Sequence, residues 1–214
     1  METVAGVSGL IPADRERAAL ARASYDPARV PTWQTPGLCR AFLDRDAAGR
    51  PIVTIEGTRP EVVGDWLRDL DQLPLKTDPA LGDMADGFGR DVLSVIFRIF
   101  HDLKGEPIGW NGHSKGGSEC LIGAAMWKLA GEKLLRVTAF EPARVGLLGH
   151  LLDGEDVLIT QCGCDEVPDQ PKWLPHPAPV TLLKTVSLLG PVGCHEMENV
   201  EAAVAAATAA PAPA

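Results

Sequence analysis

The sequence Trp110-Asn111-Gly112-His113-Ser114-Lys115-Gly116-Gly117 contains one G-x-S-x-G pattern, from Gly112 to Gly116. A short apolar run, residues 107–110, precedes it, and a long segment with apolar periodicity follows it. Strand, tight turn and helix in this order form the context in which such a pattern holds its serine in a strained turn with the hydroxyl exposed. The flanking glycines are required because side chains there would collide with the neighbouring strand and helix. The stretch therefore predicts that Ser114 is a nucleophile.

Helical and extended patterns alternate on both sides of this turn. Apolar positions at helical spacing and β-branched runs between turn signals predict helices over 14–24, 61–73, 90–103 and 116–130, and strands over 39–45, 49–55, 134–140, 157–161 and 180–186. The clearest helix, 90–103, carries one apolar stripe made of Val92, Val95, Ile96, Ile99 and Leu103. Segments rich in proline and glycine, 26–36, 74–87 and 165–179, are predicted to be connections.

This alternation predicts an α/β fold with a mainly parallel central sheet and helices on both faces. Functional loops of such a sheet lie at the carboxyl ends of its strands. Ser114, residues 162–169 and His195 each follow a predicted strand, so they can converge at one edge although they are distant in sequence. We predict one domain over residues 1–200 and, for the Ala/Pro-rich residues 201–214, a frayed helix end with a disordered tail.

Composition restricts the possible partners. The 214 residues are 45% hydrophobic and 23% charged, which is typical of a soluble globular protein with a full core. A net charge of −9 argues against nucleic acid, because phosphate binding needs a clustered basic face. The same charge disfavours docking on anionic lipid but is compatible with transient contact with a neutral lipid interface. The sequence gives no signal for an oligomeric state.

The cysteines predict reduced thiols in the cytoplasm. Their number is odd, their spacing does not suggest a disulfide framework, and no signal peptide is visible at the N-terminus. Cys162 and Cys164 form a C-x-C pair rather than the C-x-x-C of redox or zinc sites. Since no second Cys/His pair stands at ligand spacing, we predict no metal and no cofactor.

A nucleophilic serine needs a base within hydrogen-bond reach and a carboxylate that orients this base. The candidates for the base are His101, His113, His150, His176 and His195. We predict His195, because it follows the last strand and can fold back over Ser114; His176, in the proline-rich loop, is the alternative. His113 adjoins Ser114 in the turn, where successive side chains diverge, so we expect a packed or hydrogen-bonded neighbour.

For the acid we predict Asp165, directly after the strand 157–161, with Asp169 as the alternative and Asp153 and Asp156 as surface residues. The order Ser, Asp, His is the one found when the nucleophile lies in a strand–turn–helix elbow.

Two backbone donors must also face the oxyanion of the tetrahedral intermediate. One is the N–H of the residue after the nucleophile, Lys115. For the other, Gly57-Thr58 is the best-placed candidate, and a plain strand-to-helix turn is the alternative interpretation.

Together these segments resemble the class 3, or fungal-type, lipase family of α/β-hydrolases. The resemblance rests on segments in the family's order: 19–25 (ALARASY), 52–70 (IVTIEGTRPEVVGDWLRDL), 87–88 (GF), 112–117 (GHSKGG), 138–146 (TAFEPARVG), 165–168 (DEVP) and His195. It implies an α/β-hydrolase fold with Ser114 as nucleophile, Asp165 as acid, His195 as base, and Thr58 and Lys115 at the oxyanion hole. It also implies hydrolysis of a small-molecule or lipid ester through an acyl-enzyme, without metal or cofactor.

Two departures from the family pattern leave alternatives open. Glu56 stands where the family has arginine, and Lys115 replaces an apolar residue in the elbow. They motivate a second hypothesis, a non-catalytic binding protein with the hydrolase fold. A third hypothesis keeps the triad but assigns it to an acyltransferase or phospholipase. Val62, Val63 and Trp66 fit either a lid or the core.

Overall fold

A seven-stranded sheet forms the centre of the protein. The computed structural model describes residues 9–36, 39–58, 75–163, 165–184 and 190–209. Its strands are β1 (Trp33–Thr35), β2 (Cys39–Arg45), β3 (Pro51–Ile55), β4 (Leu75–Asp78), β5 (Gly82–Ala85), β6 (Ile108–His113), β7 (Leu134–Phe140), β8 (Val157–Cys162) and β9 (Val180–Leu183). The helices are α1 (Ala13–Ala23), α2 (Asp86–Leu103), α3 (Lys115–Leu129), α4 (Gly190–His195) and α5 (Met197–Ala209).

The sheet has the strand order β1-β2-β3-β6-β7-β8-β9, and β4 and β5 form a separate hairpin. The pairs β1–β2 and β2–β3 are antiparallel, whereas all four pairs from β3 to β9 are parallel. The predicted mainly parallel sheet is therefore confirmed. Because the carboxyl ends of β3, β6, β7 and β8 lie along one edge, the loops that follow them meet there.

Both faces of the sheet are covered, as the alternation of buried side chains along β7 and β8 shows. Val137 and Ala139 belong to the larger core with α2 and α3, whereas Phe140 belongs to a second cluster with α1 and α5. Along β8, Ile159 and Cys162 divide in the same way. Opposite faces are expected for residues at odd separations in a strand, so the helices form layers on the two sides.

The predicted stripe of α2 is buried along its whole length. Its five residues have at most 5% of their surface exposed. The helix begins earlier than predicted, at Asp86. In contrast, α3 is apolar around most of its circumference, because it packs between the sheet and α2.

Several elements differ from the sequence-based prediction. Strands β1, β4 and β5 lie in segments that we predicted to be connections. We predicted a frayed end and a tail from residue 201, but α5 continues to Ala209, where Val200, Ala203 and Val204 pack against the α1 side of the core. The predicted helix 61–73, with Val62, Val63 and Trp66, and residues 210–214 lie outside the described residues. Strand β9 ends at Leu183, before residues 185–189, which are also outside them.

No helix among the described residues is both long and apolar enough to span a membrane.

Candidate active site

Ser114 lies in the tight turn between β6 and α3. Its backbone has φ 58° and ψ −130°, a conformation that costs a residue other than glycine about 1–3 kcal/mol. The Ser114 N–H donates to the carbonyl oxygen of Phe140, 2.9 Å away, which anchors the turn to β7. A Cβ on Gly112 would overlap the backbone of Gly116, and one on Gly116 would overlap the carbonyl oxygen of Ile55. The two glycines therefore permit the turn.

The structure brings Ser114, His195 and Asp165 together in one hydrogen-bonded line. Ser114 Oγ lies 2.8 Å from His195 Nε2, and His195 Nδ1 lies 2.7 Å from Asp165 Oδ2. The other oxygen of Asp165 accepts the N–H of Val167 at 2.9 Å. All three members are buried, with 0%, 3% and 2% of their surface exposed in the order of the line. His195 is the last residue of α4.

Asp169 and His176, the alternative candidates for the acid and the base, form hydrogen bonds with other residues. Asp169 accepts hydrogen bonds from Arg144 at 3.0 Å and from Gln161 at 3.2 Å. The Nε2–H of His176 donates to the carbonyl oxygen of Pro168 at 2.7 Å, and burial lowers the pKa of His176 to about 4. The structure thus pairs Ser114 with His195 and Asp165, not with His176 or Asp169.

His113, next to Ser114, belongs to a second line of hydrogen bonds. The Tyr25 hydroxyl accepts the N–H of Gly57 and lies 2.7 Å from His113 Nδ1. The Nε2 of His113 lies 2.9 Å from the carbonyl oxygen of His195. Burial and the neighbouring His195 lower the pKa of His113 well below its usual value, so it stays neutral, accepts from Tyr25 and donates to His195. This line ties the turn at Gly57 to the backbone of His195.

The two predicted oxyanion donors lie on different elements. Lys115 is the first residue of α3, so its N–H lies in the first turn of the helix, directly after Ser114. Thr58 follows β3 and lines the same cavity as His195. The turn before Thr58 packs closely, because a Cβ on Gly57 would overlap the Tyr25 hydroxyl.

Whereas the backbone N–H of Lys115 is the predicted oxyanion donor, its side chain belongs to a buried ion cluster. Its ammonium group pairs with Asp91 of α2 and, at 2.9 Å, with Glu119 one turn along α3. Burial raises the pKa of the fully enclosed Glu119 to about 8, although the ammonium acts in the opposite direction. Burial alone would lower the pKa of Lys115, but Glu119 and Asp91 raise it above its usual value.

Glu56, the other departure from the family pattern, is also paired. Its carboxylate lies 2.6 Å from Arg40 Nη1 and is largely buried. The second nitrogen of Arg40 donates to the carbonyl oxygen of Arg29 at 2.8 Å. Glu56 therefore fixes the strand that leads to Thr58.

A cavity of about 550 Å³ borders the line of Ser114, His195 and Asp165 on its His195 side. It lies between α1, the turn at Thr58 and the start of α5. Its lining consists of Arg22, Ala23, Tyr25, Asp26, Thr58, His113, Val192, His195, Glu196, Met197 and Glu198. Among the described residues, no group of three or more His, Cys, Asp and Glu side chains is arranged to hold a metal ion.

The comparisons with known proteins bear on the fold. The Rhizomucor miehei triacylglyceride lipase superposes with a TM-score of 0.64 at 16% identity, over 78% of this chain and 77% of that chain. The fold is that of the fungal lipases. Lip2 lipase from Yarrowia lipolytica gives 0.63 at 16% identity, over 84% and 80% of the two chains. A triacylglycerol lipase from Penicillium expansum gives 0.58 at 16% identity, over 83% and 82%.

The resemblance to fungal-type lipases is thus confirmed at the level of the α/β-hydrolase fold. No protein-family model and no curated protein sequence matches the chain. Against the Rhizomucor miehei lipase–propeptide complex, the chain spans 66% of that protein's length. At these identities the comparison establishes the fold, and the activity has to be argued from the site.

The comparisons contradict the predicted cytoplasmic location, because these fungal lipase neighbours are secreted extracellular enzymes. The cysteines have a packing role that does not depend on compartment. Cys39, Cys120, Cys162 and Cys194 are buried in the core, while Cys164 lies outside the described residues.

Sequence analysis did not identify two neighbours of the triad. Tyr25 lies in the segment 19–25 and Glu141 in the segment 138–146, both used for the family resemblance. Their contacts reach across more than a dozen residues to other elements, and no local pattern signals such a contact.

Proposed function

We propose that the protein is a serine hydrolase that cleaves carboxylic esters, lipase-like or esterase-like, through an acyl-enzyme. The observation that carries this proposal is the buried hydrogen-bonded line from Ser114 through His195 to Asp165. A strained nucleophile turn, a base within 2.8 Å and an orienting carboxylate are the parts that activate a serine. The lipase fold supports the same reaction class.

In the proposed reaction, Ser114 Oγ attacks the ester carbonyl carbon while His195 Nε2 takes the hydroxyl proton. Asp165 holds the Nδ1–H of His195 and stabilises the imidazolium that forms. The negative carbonyl oxygen accepts hydrogen bonds from the backbone N–H of Lys115 and from Thr58. The ester C–O bond then breaks, and His195 gives its proton to the departing alkoxide.

Deacylation repeats these steps with water. His195 takes a proton from a water molecule while the oxygen of this water attacks the acyl carbon. The proton then passes to Ser114 Oγ as the carboxylic acid leaves. No step needs a metal or an organic cofactor. Activity should therefore fall on the acid side, where His195 becomes protonated before it can act as a base.

The cavity suggests a neutral ester as substrate. Ala23, Val192 and Met197 offer apolar surface, whereas Asp26, Glu196 and Glu198 place carboxylates in the wall. The Arg22 guanidinium is already paired with Glu201 at 3.0 Å. We therefore expect discrimination against anionic esters and anionic lipid surfaces, in keeping with the net charge of −9.

The alternative hypothesis, a non-catalytic binding protein with the hydrolase fold, was motivated by Glu56 and Lys115. Glu56 and Lys115, unusual for the resemblance, each have ion-pair partners that explain them in structural terms. A catalytic role therefore needs no exception for either residue.

The test is a series of ester substrates of increasing acyl length, with and without detergent micelles. Wild type and Ser118→Ala should hydrolyse the esters, and Ser114→Ala should lose turnover. Ser118 is the matched control, because it is a buried serine one turn further along α3. Turnover by Ser114→Ala at the wild-type rate would contradict the proposal.

The same series separates the related activities. A preference for long chains that rises with micelles would indicate a lipase, and a preference for short soluble esters an esterase. A phospholipid substrate, or an added alcohol that captures the acyl group, would reveal the phospholipase or acyltransferase alternative.

A further inference from the structure

Glu141 stands at the junction of the three elements that form the triad. It directly follows β7, and its N–H donates to the carbonyl oxygen of Thr160 in β8 at 3.2 Å. The preceding residue, Phe140, holds the turn of Ser114. The backbone of Glu141 has φ 50°, a left-handed conformation that a side chain other than glycine rarely adopts. Strained residues of this kind cluster at functional sites.

The carboxyl group of Glu141 is fully buried and held from several sides. One oxygen accepts the hydroxyl of Thr160 at 3.0 Å, and the other accepts the N–H of Cys162 at 2.7 Å. The group also hydrogen-bonds to Asp165. Glu141 is thus a second carboxyl group that directly touches the acid of the triad.

Two carboxyl groups in contact cannot both carry a charge at low cost in a buried site. Both oxygens of Asp165 already accept hydrogen bonds, one from His195 and the other from the N–H of Val167. Burial, the negative charge of Asp165 and the hydrogen bond between the two groups raise the pKa of Glu141 well above its usual value. Glu141 is therefore the neutral partner, and its proton faces Asp165.

We propose that Glu141 is a positioning residue, which as a neutral carboxylic acid donates a hydrogen bond to Asp165 and thereby fixes this carboxylate opposite His195. The inference rests on the proposed function. A donor to Asp165 withdraws part of its negative charge, so the carboxylate stabilises protonated His195 less strongly. The enzyme should then stay active to lower pH than one without Glu141.

The titratable groups around Glu141 do not complicate this assignment. Asp165 faces it from the loop after β8, with His195 beyond, and the Cys162 thiol faces it from the end of β8, with Cys194 of α4 beside that thiol. Burial and the neighbouring carboxyl group of Glu141 raise the pKa of Cys162. The thiol is therefore neutral at neutral pH and below.

The kinetic test compares the acid limb of kcat/KM for wild type, Glu141→Gln and Glu141→Gly. Gln keeps a neutral hydrogen-bond donor, and Gly removes the donor without strain because φ is positive. We expect the limb to move up by about one pH unit in Glu141→Gly, the size expected for a lost hydrogen bond to a charged group. In Glu141→Gln the limb should stay at the wild-type position.

The control for mere loss of stability is Asp14→Asn. Asp14 is a fully buried carboxylate paired with Arg136, at 2.8 Å, near the amino end of β7, whereas the triad lies at the carboxyl end of this strand. This variant should melt at a lower temperature without moving the acid limb. If Glu141→Gly leaves the limb in place, or if Gln shifts it as much as Gly, the proposal is wrong.

A second readout does not depend on turnover. The infrared difference spectrum of wild type minus Glu141→Gln at neutral pH should show the carbonyl band of a protonated carboxylic acid. Absence of this band overturns the proposal even in an active enzyme. If the band is present but wild type hydrolyses no ester, it is the proposed function that fails.

Discussion

Glu119 and Glu141 are both fully buried beside the turn of Ser114, the first on its helix side and the second on its sheet side. Glu119 lies 2.9 Å from the ammonium group of Lys115, and its pKa is raised to about 8. Glu141 touches the carboxylate of Asp165 instead, and its pKa is raised well above the usual value. Each glutamate has a neighbouring carboxyl group that adds to the effect of burial, Asp91 for Glu119 and Asp165 for Glu141. The two sites differ because the ammonium group of Lys115 lowers the cost of ionising Glu119.

Glu119 and Glu141 therefore contribute differently to the surroundings of Ser114. On the helix side, the ammonium group of Lys115 holds the start of α3 against α2 through Asp91, and Glu119 becomes ionised beside it only as the pH rises to about 8. On the base side, a neutral acid leaves one negative charge, on Asp165, for His195.

The largest effect on activity is expected when the negative charge of Asp165, which stabilises protonated His195, is removed. Asp165→Asn removes this charge and favours the wrong imidazole tautomer, so kcat should fall about 10⁴-fold, as found for triad carboxylates. The matched control is Asp169→Asn, an exposed carboxylate in the same loop that pairs with Arg144. It should stay within a few fold of wild type; an equal loss in both variants would contradict the assignment of Asp165. The measurement is kcat on a soluble ester.

The next effect concerns stability against pH. The pKa of Glu119 is higher in the folded protein than its ordinary value of 4.5, so the folded state binds more protons between about pH 4.5 and about pH 8. The contribution of Glu119 to stability is therefore complete below this window and is lost as pH rises through it. Since one pKa unit corresponds to about 1.4 kcal/mol, the loss is on the order of 5 kcal/mol.

Urea unfolding at several pH values checks this sign. Glu119→Gln should flatten the decline up to about pH 8, and Glu141→Gln should remove the separate contribution of Glu141, whose pKa is also raised. A wild-type protein that becomes more stable across this window would show that Glu119 is ionised throughout.

The smallest of these effects comes from removing the cation. Lys115→Met leaves Asp91 and Glu119 facing each other without a positive charge, which should cost about 3 kcal/mol of unfolding free energy. Lys128→Met, which breaks the more exposed pair with Glu155, should cost less than about 1 kcal/mol. Equal losses from the two substitutions would mean that the Lys115 cluster behaves as a surface ion pair. Urea unfolding at one pH gives both values.

Local patterns were sufficient for the parts of the fold that repeat a local rule. The stripe of α2 predicts its buried face because one side of a helix must meet the core, and the glycines around Ser114 predict a turn that excludes side chains. The order Ser114, Asp165, His195 follows from the positions of strands in a parallel sheet. The structure brings these three together as the sequence predicts.

The remaining features depend on contacts between distant segments. The Ala-rich segment after residue 200 resembles a tail, yet Val200 and Val204, one turn apart, pack on α1. The hairpin β4–β5 lies in a segment rich in turn residues. The side chain of Lys115 pairs with Asp91 on another helix, and that of Glu141 contacts Asp165 on another loop. Neither contact can be inferred from the neighbouring sequence.

The most direct test of the central claim is labelling with a fluorophosphonate probe followed by peptide mass mapping. Wild type and Ser118→Ala should each gain one adduct, on Ser114, and lose ester turnover in proportion to labelling, while Ser114→Ala should gain none. An adduct on another residue, or turnover that persists after complete labelling of Ser114, would contradict the claim that Ser114 is the nucleophile.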